Sequence, residues 1–419
     1  MTRNTDVTSV DRPHSDSITR PSAILIPAMG LAFAGVTMAL ATPQYLTLAM
    51  RFTEIVPRSA TGDLSILLSV GLLVQIVTLL LVGRLSDATR AHLGMRRPWM
   101  LAGLVAILAG SVALYAATSV PLLWWGYMGI SVGSSFCFAP LFAMVSDQIQ
   151  PRHQGLATSV LGAAGIAGSL AGFFVVQLAP GDAFSVYIVP ALVALVPTIL
   201  LALIVEDARL SHRIPITVGS LLRMFTVSAR TSPSLAWFLP AVFLVGSVTA
   251  VVGTYSYFLV GAKVGDSIEA ITVAAFYGTL ISNVVAFPVS VLVGALSDRF
   301  GRRKPFFAAA SVFFAAGALT VAFSDSLAVL YIGLAIVGLG TGCLFGSYMA
   351  IALEAMQDKE TTARDINMVV SVYTLAGVAI PLISPTLLGP SADNYPLLLI
   401  AAAILSALSL VFLTKVRVP

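Results

Sequence analysis

The sequence predicts an all-α membrane protein in which twelve transmembrane helices form two six-helix pseudo-repeats. Hydrophobic residues make up 58% of the 419 positions and charged residues only 10%, whereas a soluble domain has about 25% charged residues. The apolar residues fall into twelve runs, each long enough for a helix to cross the ~30 Å hydrocarbon core of a bilayer. A short loop motif also occurs twice, at matching places in the two halves.

The twelve apolar runs, numbered span 1 to span 12, set the organisation of the chain. Those of the first half cover residues 23–50, 63–83, 98–117, 120–145, 155–178 and 184–204. Those of the second half cover residues 234–260, 269–294, 305–323, 326–352, 366–388 and 395–414. Because each run is continuously apolar, helices are predicted, since the strands of a membrane barrel alternate apolar and polar residues.

The remaining segments are polar. Residues 1–22 form an N-terminal tail without the apolar core of a signal peptide, and residues 415–419 form a C-terminal tail. The predicted domains are therefore the first half (23–204), a central linker (205–233) and the second half (234–414). The linker contains ITVGSLLRMFTVSAR, for which an interfacial helix and a solvated linker are both open interpretations.

The basic residues predict how the chain is oriented. With both termini inside, twenty of the 23 Lys and Arg residues fall on the inner side, and only Arg51, Arg58 and Lys263 fall outside. This asymmetry predicts that both termini lie in the cytoplasm. The protein is expected in the plasma (inner) membrane. The net charge of +4 is thereby explained without a nucleic-acid partner. Cys137 and Cys343 lie within apolar runs, so no disulfide, metal or cofactor is expected.

The repeated loop follows span 2 as GRLSDATRAHLGMRRPWM and span 8 as GALSDRFGRRKPFF. Its glycines permit tight turns. Its aspartate ends a helix, where the helix dipole disfavours a negative charge, and therefore needs a nearby arginine or another helix N-terminus. A cluster that forms in one conformation and breaks in another would bias the equilibrium between them.

The residues of this hypothetical latch are Gly83, Asp87, Arg90, Gly94, Arg96, Arg97, Gly294, Asp298, Arg299, Gly301, Arg302 and Arg303. Asp147 and Glu354, near the inner ends of spans 4 and 10, are possible partners. In the alternative interpretation, the arginines only enforce topology.

The second copy resembles the G-x-x-x-D-R-x-G-R-R loop of the major facilitator superfamily. The first copy, in its longer SDxxxR…GxRRPW form, is similar to that of the glycoside–pentoside–hexuronide and sucrose-transporter branch, as are ATPQYLTL, TYSYFL and TTARDINM. The resemblance implies the major facilitator fold, transport of a small molecule across the bilayer by alternating access, and a cytoplasmic latch at the loops. A monomer is expected.

The resemblance also implies a substrate cavity near the midplane, lined mainly by spans 1, 4, 7 and 10. Polar groups at that depth usually face a cavity or another helix. The candidates are Thr37 and Gln44 on one face of span 1, Gln75 and Asn283 at comparable positions of the repeat, the mid-span Ser134 and Ser135, and the tyrosines Tyr277, Tyr348 and Tyr373. For each, a contact between helices is the alternative to contact with a ligand.

The middle of every span lacks Asp, Glu, Lys, Arg and His. Sugar–cation symporters of the resembled branch typically carry membrane acids, so this departure argues against symport, although a coupling proton or sodium ion stays open.

Three functions compete. Transport of a sugar or glycoside-like solute is the first hypothesis. Efflux of an amphipathic drug-like compound is the second, although span 5 lacks the Gly-Pro of drug antiporters. A non-transporting membrane sensor is the third. No HExxH, P-loop or aspartate-rich phosphate motif suggests an enzyme.

Overall fold

The computed structural model describes residues 22–89, 94–179, 182–205, 233–265, 267–355, 362–389 and 394–417. Eleven helices in this part of the chain are long and apolar enough to cross a membrane. Span 6, the twelfth, consists of the short helix Ala183–Tyr187 followed by Val189–Ile204. The predicted fold class is confirmed. Most of the N-terminal tail and the central linker, including its possible interfacial helix, lie outside the described residues.

Span 1 is built in three parts: a helix at Ser22–Thr42, a π-helical turn at Pro43–Thr47 and a second helix at Leu48–Ile55. Spans 2 to 5 are the helices Ala60–Ala88, Arg97–Tyr115, Val120–Gln148 and Pro151–Leu178. Spans 7 to 12 are Pro233–Val264, Ile268–Phe300, Lys304–Ala322, Leu327–Ala355, Thr362–Leu388 and Tyr395–Lys415.

The two halves share one packing pattern. In the first half, span 4 packs against spans 2 and 3, span 1 against spans 5 and 6, and span 3 against span 6. Each of these contacts has a counterpart six spans later. The halves meet mainly where span 2 packs on span 11 and span 5 on span 8. Below, the terminal face is the side where span 1 begins and span 12 ends, and the opposite face is the other side.

Glycines allow neighbouring spans to approach backbone to backbone. A Cβ atom placed on Gly168 of span 5 would lie 2.2 Å from the carbonyl oxygen of Ala34 in span 1. One placed on Gly338 of span 10 would lie 2.5 Å from the carbonyl oxygen of Ser282 in span 8. Since helices in lipid associate largely through close packing, these small residues are needed where they stand.

On the opposite face, each half is fastened by a basic side chain that caps the end of a helix. Arg51 Nη2 donates to the carbonyl oxygen of Ala117, just after span 3, at 2.7 Å. Lys263 Nζ donates to the carbonyl oxygen of Ser324, just after span 9, at 2.5 Å. The last carbonyls of a helix have no partner within it and lie at the negative end of its dipole. A cation at this end donates a hydrogen bond to a carbonyl and offsets the dipole.

Replacing Gly168 with Ala should destabilise the packing of span 5 on span 1, because the new methyl group meets backbone that cannot move aside. We expect a loss of about 1–3 kcal/mol, measured as a lower melting temperature of the purified protein in detergent. Gly162→Ala is the matched control, since nothing lies within 4 Å of a Cβ there. Equal melting temperatures for the two variants would contradict this account of the packing.

Candidate functional site

A cavity of about 460 Å³ lies between the two halves, within the usual size range of small-molecule sites. Spans 1 and 5 of the first half and spans 7, 8 and 10 of the second supply most of its walls. Its aromatic and polar lining consists of Thr37, Tyr45, Ser169, Phe173, Thr249, Ser256, Thr279, Ser282, Asn283, Thr341 and Tyr373. None of the described residues that line this central cavity is charged.

Aromatic rings occupy one end of the central cavity. The rings of Tyr45 and Phe173 are stacked, with centroids 6.5 Å apart. Tyr373 is held by its hydroxyl, which lies 3.2 Å from Thr249 Oγ1, and by the ring of Tyr348, 6.3 Å away between centroids. Flat apolar rings that also carry hydroxyls suit a ligand with a ring of its own.

Some polar groups around this cavity lack partners of their own. Asn283 Nδ2 donates to the carbonyl oxygen of Thr279 at 2.9 Å, while its Oδ1 accepts no hydrogen bond from any described residue. Thr37 Oγ1 is buried and has no hydrogen-bond partner. Unpaired polar groups are costly within a membrane, so Asn283 Oδ1 is suited to accept a hydrogen bond from a ligand, whereas Thr37 Oγ1 has almost no exposed surface and needs a side-chain rotation to reach one.

Two further spaces adjoin the central cavity. A smaller cavity of about 230 Å³ lies between spans 1, 2, 7 and 11 and contains Gln44. A cleft of about 490 Å³ lies nearer the terminal face between spans 2, 4 and 11, and its polar lining residues are Gln75, Arg84, Ser371 and Thr374. Leu72 and Thr374 line both of these spaces.

The structure brings together some of the nine predicted cavity residues. Thr37, Asn283 and Tyr373 line the central cavity, and Tyr373 also lines the smaller cavity beside Gln44. Gln75 lies in the cleft near the terminal face. These five residues thus lie along one series of spaces between the halves.

The other four predicted residues lie elsewhere. Ser135 donates to the carbonyl oxygen of Gln75 at 3.0 Å and so fastens span 4 to span 2, and Ser134 is fully buried. Tyr348 packs behind Tyr373. Tyr277 is 45% exposed on the outer side of span 8. Span 4 supplies none of the described lining residues of the central cavity, where spans 5 and 8 appear in its place.

The sequence prediction missed Tyr45, Phe173 and most of the hydroxyls. Their spacing contains a signal, since Gly162, Gly165, Ser169 and Phe173 all fall on one face of span 5. Glycines at this spacing in a membrane helix also indicate close packing of helices. A stripe of small and hydroxyl side chains that ends in an aromatic ring also fits a cavity wall.

In both copies of the repeated loop, a glycine turns the chain. Gly94 has φ 103° and Gly301 has φ 60°, a left-handed conformation that glycine adopts without steric penalty. Gly83 and Gly294 instead lie inside the helices of spans 2 and 8.

The described contacts of Arg96 and Arg303 lie within their own halves. Arg96 is 4% exposed, and its Nη1 donates to Ser86 Oγ at 2.5 Å. The equivalent Arg303 has its Nε 3.1 Å from Glu354 Oε1 at the end of span 10.

The next residue in each copy caps a helix. Arg97 donates to the carbonyl oxygen of Val205, at the end of span 6. Lys304 donates to the carbonyl oxygen of Val416, at the end of span 12. The terminal face thus has basic caps in both halves, as the opposite face does.

The other charged residues of the predicted latch add no described contact. Arg299 and Arg302 are exposed. Arg90 and the side chains of Asp87, Asp147 and Asp298 lie outside the described part of the structure.

On the opposite face, uncharged hydroxyls join the halves. Ser65 Oγ of span 2 lies 2.5 Å from Tyr255 Oη of span 7, and both residues are fully buried. Thr61 Oγ1 of span 2 lies 3.4 Å from Tyr395 Oη of span 12. We call these four residues the hydroxyl clasp.

Comparisons with known proteins agree with this architecture. A sequence model of the Major Facilitator Superfamily matches residues 25–292 and 279–419. The class C tetracycline resistance protein of Escherichia coli is 32% identical over 152 residues, which are 35% of this chain and 36% of that protein. The chain thus spans about a third of the length of this curated relative.

Solved structures show the same fold. A bacterial homolog of the human lysosomal transporter Spinster, inward-facing and unoccupied, has a TM-score of 0.73 at 13% identity and covers 94% of this chain and 97% of its own. A mutant of the nucleoside transporter NupG scores 0.73 at 11% identity, covering 94% and 100%. A mutant of the peptide transporter POT, in complex with sulfate, scores 0.75 at 14% identity, covering 93% and 94%.

The pair between Arg303 and Glu354 should stabilise the second half. We expect Arg303→Gln and Glu354→Gln each to lower the melting temperature of the purified protein, with a coupling energy of about 1 kcal/mol in a double-mutant cycle. Arg302→Gln is the control, because that neighbouring side chain is exposed and its loss should leave the melting temperature unchanged. Additive effects of the two substitutions would contradict a direct pairing.

Proposed function

The chain belongs to the major facilitator superfamily of membrane transporters, and we propose that its substrate is a neutral amphipathic compound that contains a ring. The observation that carries this proposal is the central cavity, whose described lining combines aromatic rings and hydroxyls without a charged side chain. Transport proceeds by alternating access of that cavity to the two faces.

The absence of charge among these lining residues selects against ionic substrates. An ion that enters such a cavity loses its hydration and finds no opposite charge, which costs several kcal/mol. A neutral compound loses only hydrogen bonds to water, which the hydroxyls and Asn283 can replace. Its apolar ring packs against Tyr45 and Phe173.

An amphipathic, drug-like compound is favoured over a simple sugar for two reasons. Most of the polar lining residues of the central cavity are single hydroxyls, and Asn283 donates one of its two amide hydrogens to its own helix. The partial relative is also a tetracycline resistance protein, which supports a compound built on fused rings. Export is therefore the preferred direction.

A sugar or glycoside is the second candidate. Tyrosine rings beside hydroxyls can stack on a sugar ring while forming hydrogen bonds with it, and Gln44 adds an amide close by. The long SDxxxR…GxRRPW form of the first loop supports this branch. A non-transporting sensor is the alternative from another class, since it would bind a ligand without moving it.

The two faces take different parts in the proposed cycle. The excess of Lys and Arg supports a cytoplasmic terminal face, and the plasma membrane is the proposed location. The hydroxyl clasp then closes the outer side in the described conformation.

The latch on the cytoplasmic side rests on Asp87 and Asp298, with Asp147 as a further partner. Glu354 contacts Arg303, a residue of the latch, within the second half, which supports it as a second partner. That pair shapes the loop between spans 8 and 9 and does not join the halves.

Matched probes test the substrate class. In proteoliposomes, we expect saturable uptake of 4-nitrophenyl β-glucoside and less than about a tenth of that rate for 4-nitrophenyl β-glucuronide, which adds one uncompensated carboxylate. Glucose itself should also enter more slowly, because it lacks the ring that packs on Tyr45 and Phe173.

Each other result has a defined meaning. Equal uptake of the glucuronide would exclude a neutral-substrate cavity. Faster uptake of glucose would favour the sugar transporter. Saturable binding of the glucoside without uptake would favour the sensor.

Replacing Asp298 with Asn should impair the latch without affecting membrane insertion. Because a conformational bias of a few kcal/mol is lost, we expect uptake of 4-nitrophenyl β-glucoside to fall about tenfold or more, at an unchanged yield of protein from membranes. Asp325→Asn, in the exposed loop between spans 9 and 10, is the control. Wild-type uptake by the Asp298 variant would refute the latch.

A further inference from the structure

We propose that the central cavity and the smaller cavity form one bipartite binding site, divided by the side chain of Tyr45. The central chamber takes the apolar ring of the ligand, and the smaller chamber takes an uncharged, hydroxyl-bearing group at the other end of the same molecule. This inference rests on the proposed function and specifies the shape and polarity of its substrate.

The two chambers share a wall. Tyr45, Thr249, Gly253 and Tyr373 line both. A Cβ atom on Gly253 would lie 3.2 Å from Tyr45 Cε1, so the ring of Tyr45, from the first half, rests on the bare backbone of span 7 in the second half. Because one ring packs against a glycine at this wall, the partition between the two chambers is thin.

Span 1 changes its helical geometry at the partition. The π-helical turn Pro43–Thr47 contains both Gln44 and Tyr45, and single π-helical turns within membrane or soluble helices are found frequently at functional sites. The turn carries the amide of Gln44 into the smaller chamber and the ring of Tyr45 into the wall. Ser256 Oγ of span 7 donates to the carbonyl oxygen of Tyr45 at 3.5 Å, which ties this turn to the second half.

The amide of Gln44 identifies what the smaller chamber binds. This side chain is half-buried and forms no hydrogen bond with any other described residue. An unpaired amide at this depth is costly, and it offers both donors and an acceptor. A ligand hydroxyl can use both, whereas a charged group would find no opposite charge among the described lining residues.

Rotation of the Tyr45 ring about its side-chain torsions would open the partition. The ring meets no side chain at position 253, which is a glycine, and on its other side it would leave the stacked ring of Phe173. Such rotations occur on short timescales compared with a transport cycle. A ligand that enters the central chamber can therefore displace the ring and place its polar end beside Gln44.

Two matched alanines allow each chamber to be filled separately. Ala250 lines only the smaller chamber and Ala275 only the central chamber. The probes are 4-nitrophenyl β-glucoside, which has a ring and a hydroxylated end, and 4-nitroanisole, which has the same ring with a methyl group in place of the sugar. Saturable binding is measured on the full chain in lipid nanodiscs against empty nanodiscs.

Ala250→Leu should lower the affinity for the glucoside by about tenfold or more and change that for 4-nitroanisole less than about twofold. Ala275→Leu should lower the affinity for both probes. Gln44→Leu, which removes the amide with little change in volume, should weaken glucoside binding about fivefold and leave 4-nitroanisole unaffected. The test therefore does not depend on the folding of the leucine variant at position 250.

The failures are distinguishable. Wild-type protein that binds neither probe would overturn the proposed function and this inference together. A second pattern would overturn the bipartite site alone. In it, the wild-type protein binds both probes, while Ala250→Leu and Gln44→Leu leave the affinity for the glucoside unchanged or lower the affinity for both probes equally.

Discussion

Every backbone polar group of this chain that lies in hydrocarbon must find its partner within the protein, because no water is present there. Helices meet this requirement along their length but leave the last carbonyls unpaired. Basic side chains bind carbonyls at or just after the ends of helices at four places, two on each face: Arg51 and Lys263 on one, Arg97 and Lys304 on the other. The caps recur in both halves, so the repeat preserves a physical requirement as well as a sequence motif.

This constraint explains why the architecture could be predicted from sequence. A continuously apolar run of about twenty residues has one stable solution in lipid, the helix, so every predicted run falls on a helix. The end of span 1 was harder to predict, since Arg51 and Glu54 indicate a loop after residue 50. The helix nevertheless continues to Ile55. Both charged side chains have partners there, because Arg51 pairs with Glu54 and also donates to the carbonyl oxygen of Ala117 after span 3.

The candidate site was less predictable, because hydropathy reports the depth of a residue but not the direction in which it faces. Thr37, Asn283 and Tyr373 face the central cavity. Ser135, at a similar depth, turns towards span 2 and serves packing. Rotation of each helix about its own axis depends on contacts with its neighbours. These contacts involve residues far apart in the chain, such as Tyr45 with Gly253, and a pattern within one span does not contain them.

The distribution of charge between the cavity and the faces follows from the same physics. Ionic groups at the terminal face, such as Arg303 with Glu354, can be solvated when they part, but deeper in the bundle an uncompensated charge would cost several kcal/mol. The hydroxyl clasp holds the halves on the opposite face with neutral groups. Separating each of its hydrogen bonds costs about 1 kcal/mol once water replaces the partner. Neutral contacts of this strength can hold the halves together and still allow them to separate, because no buried ion is left without a partner.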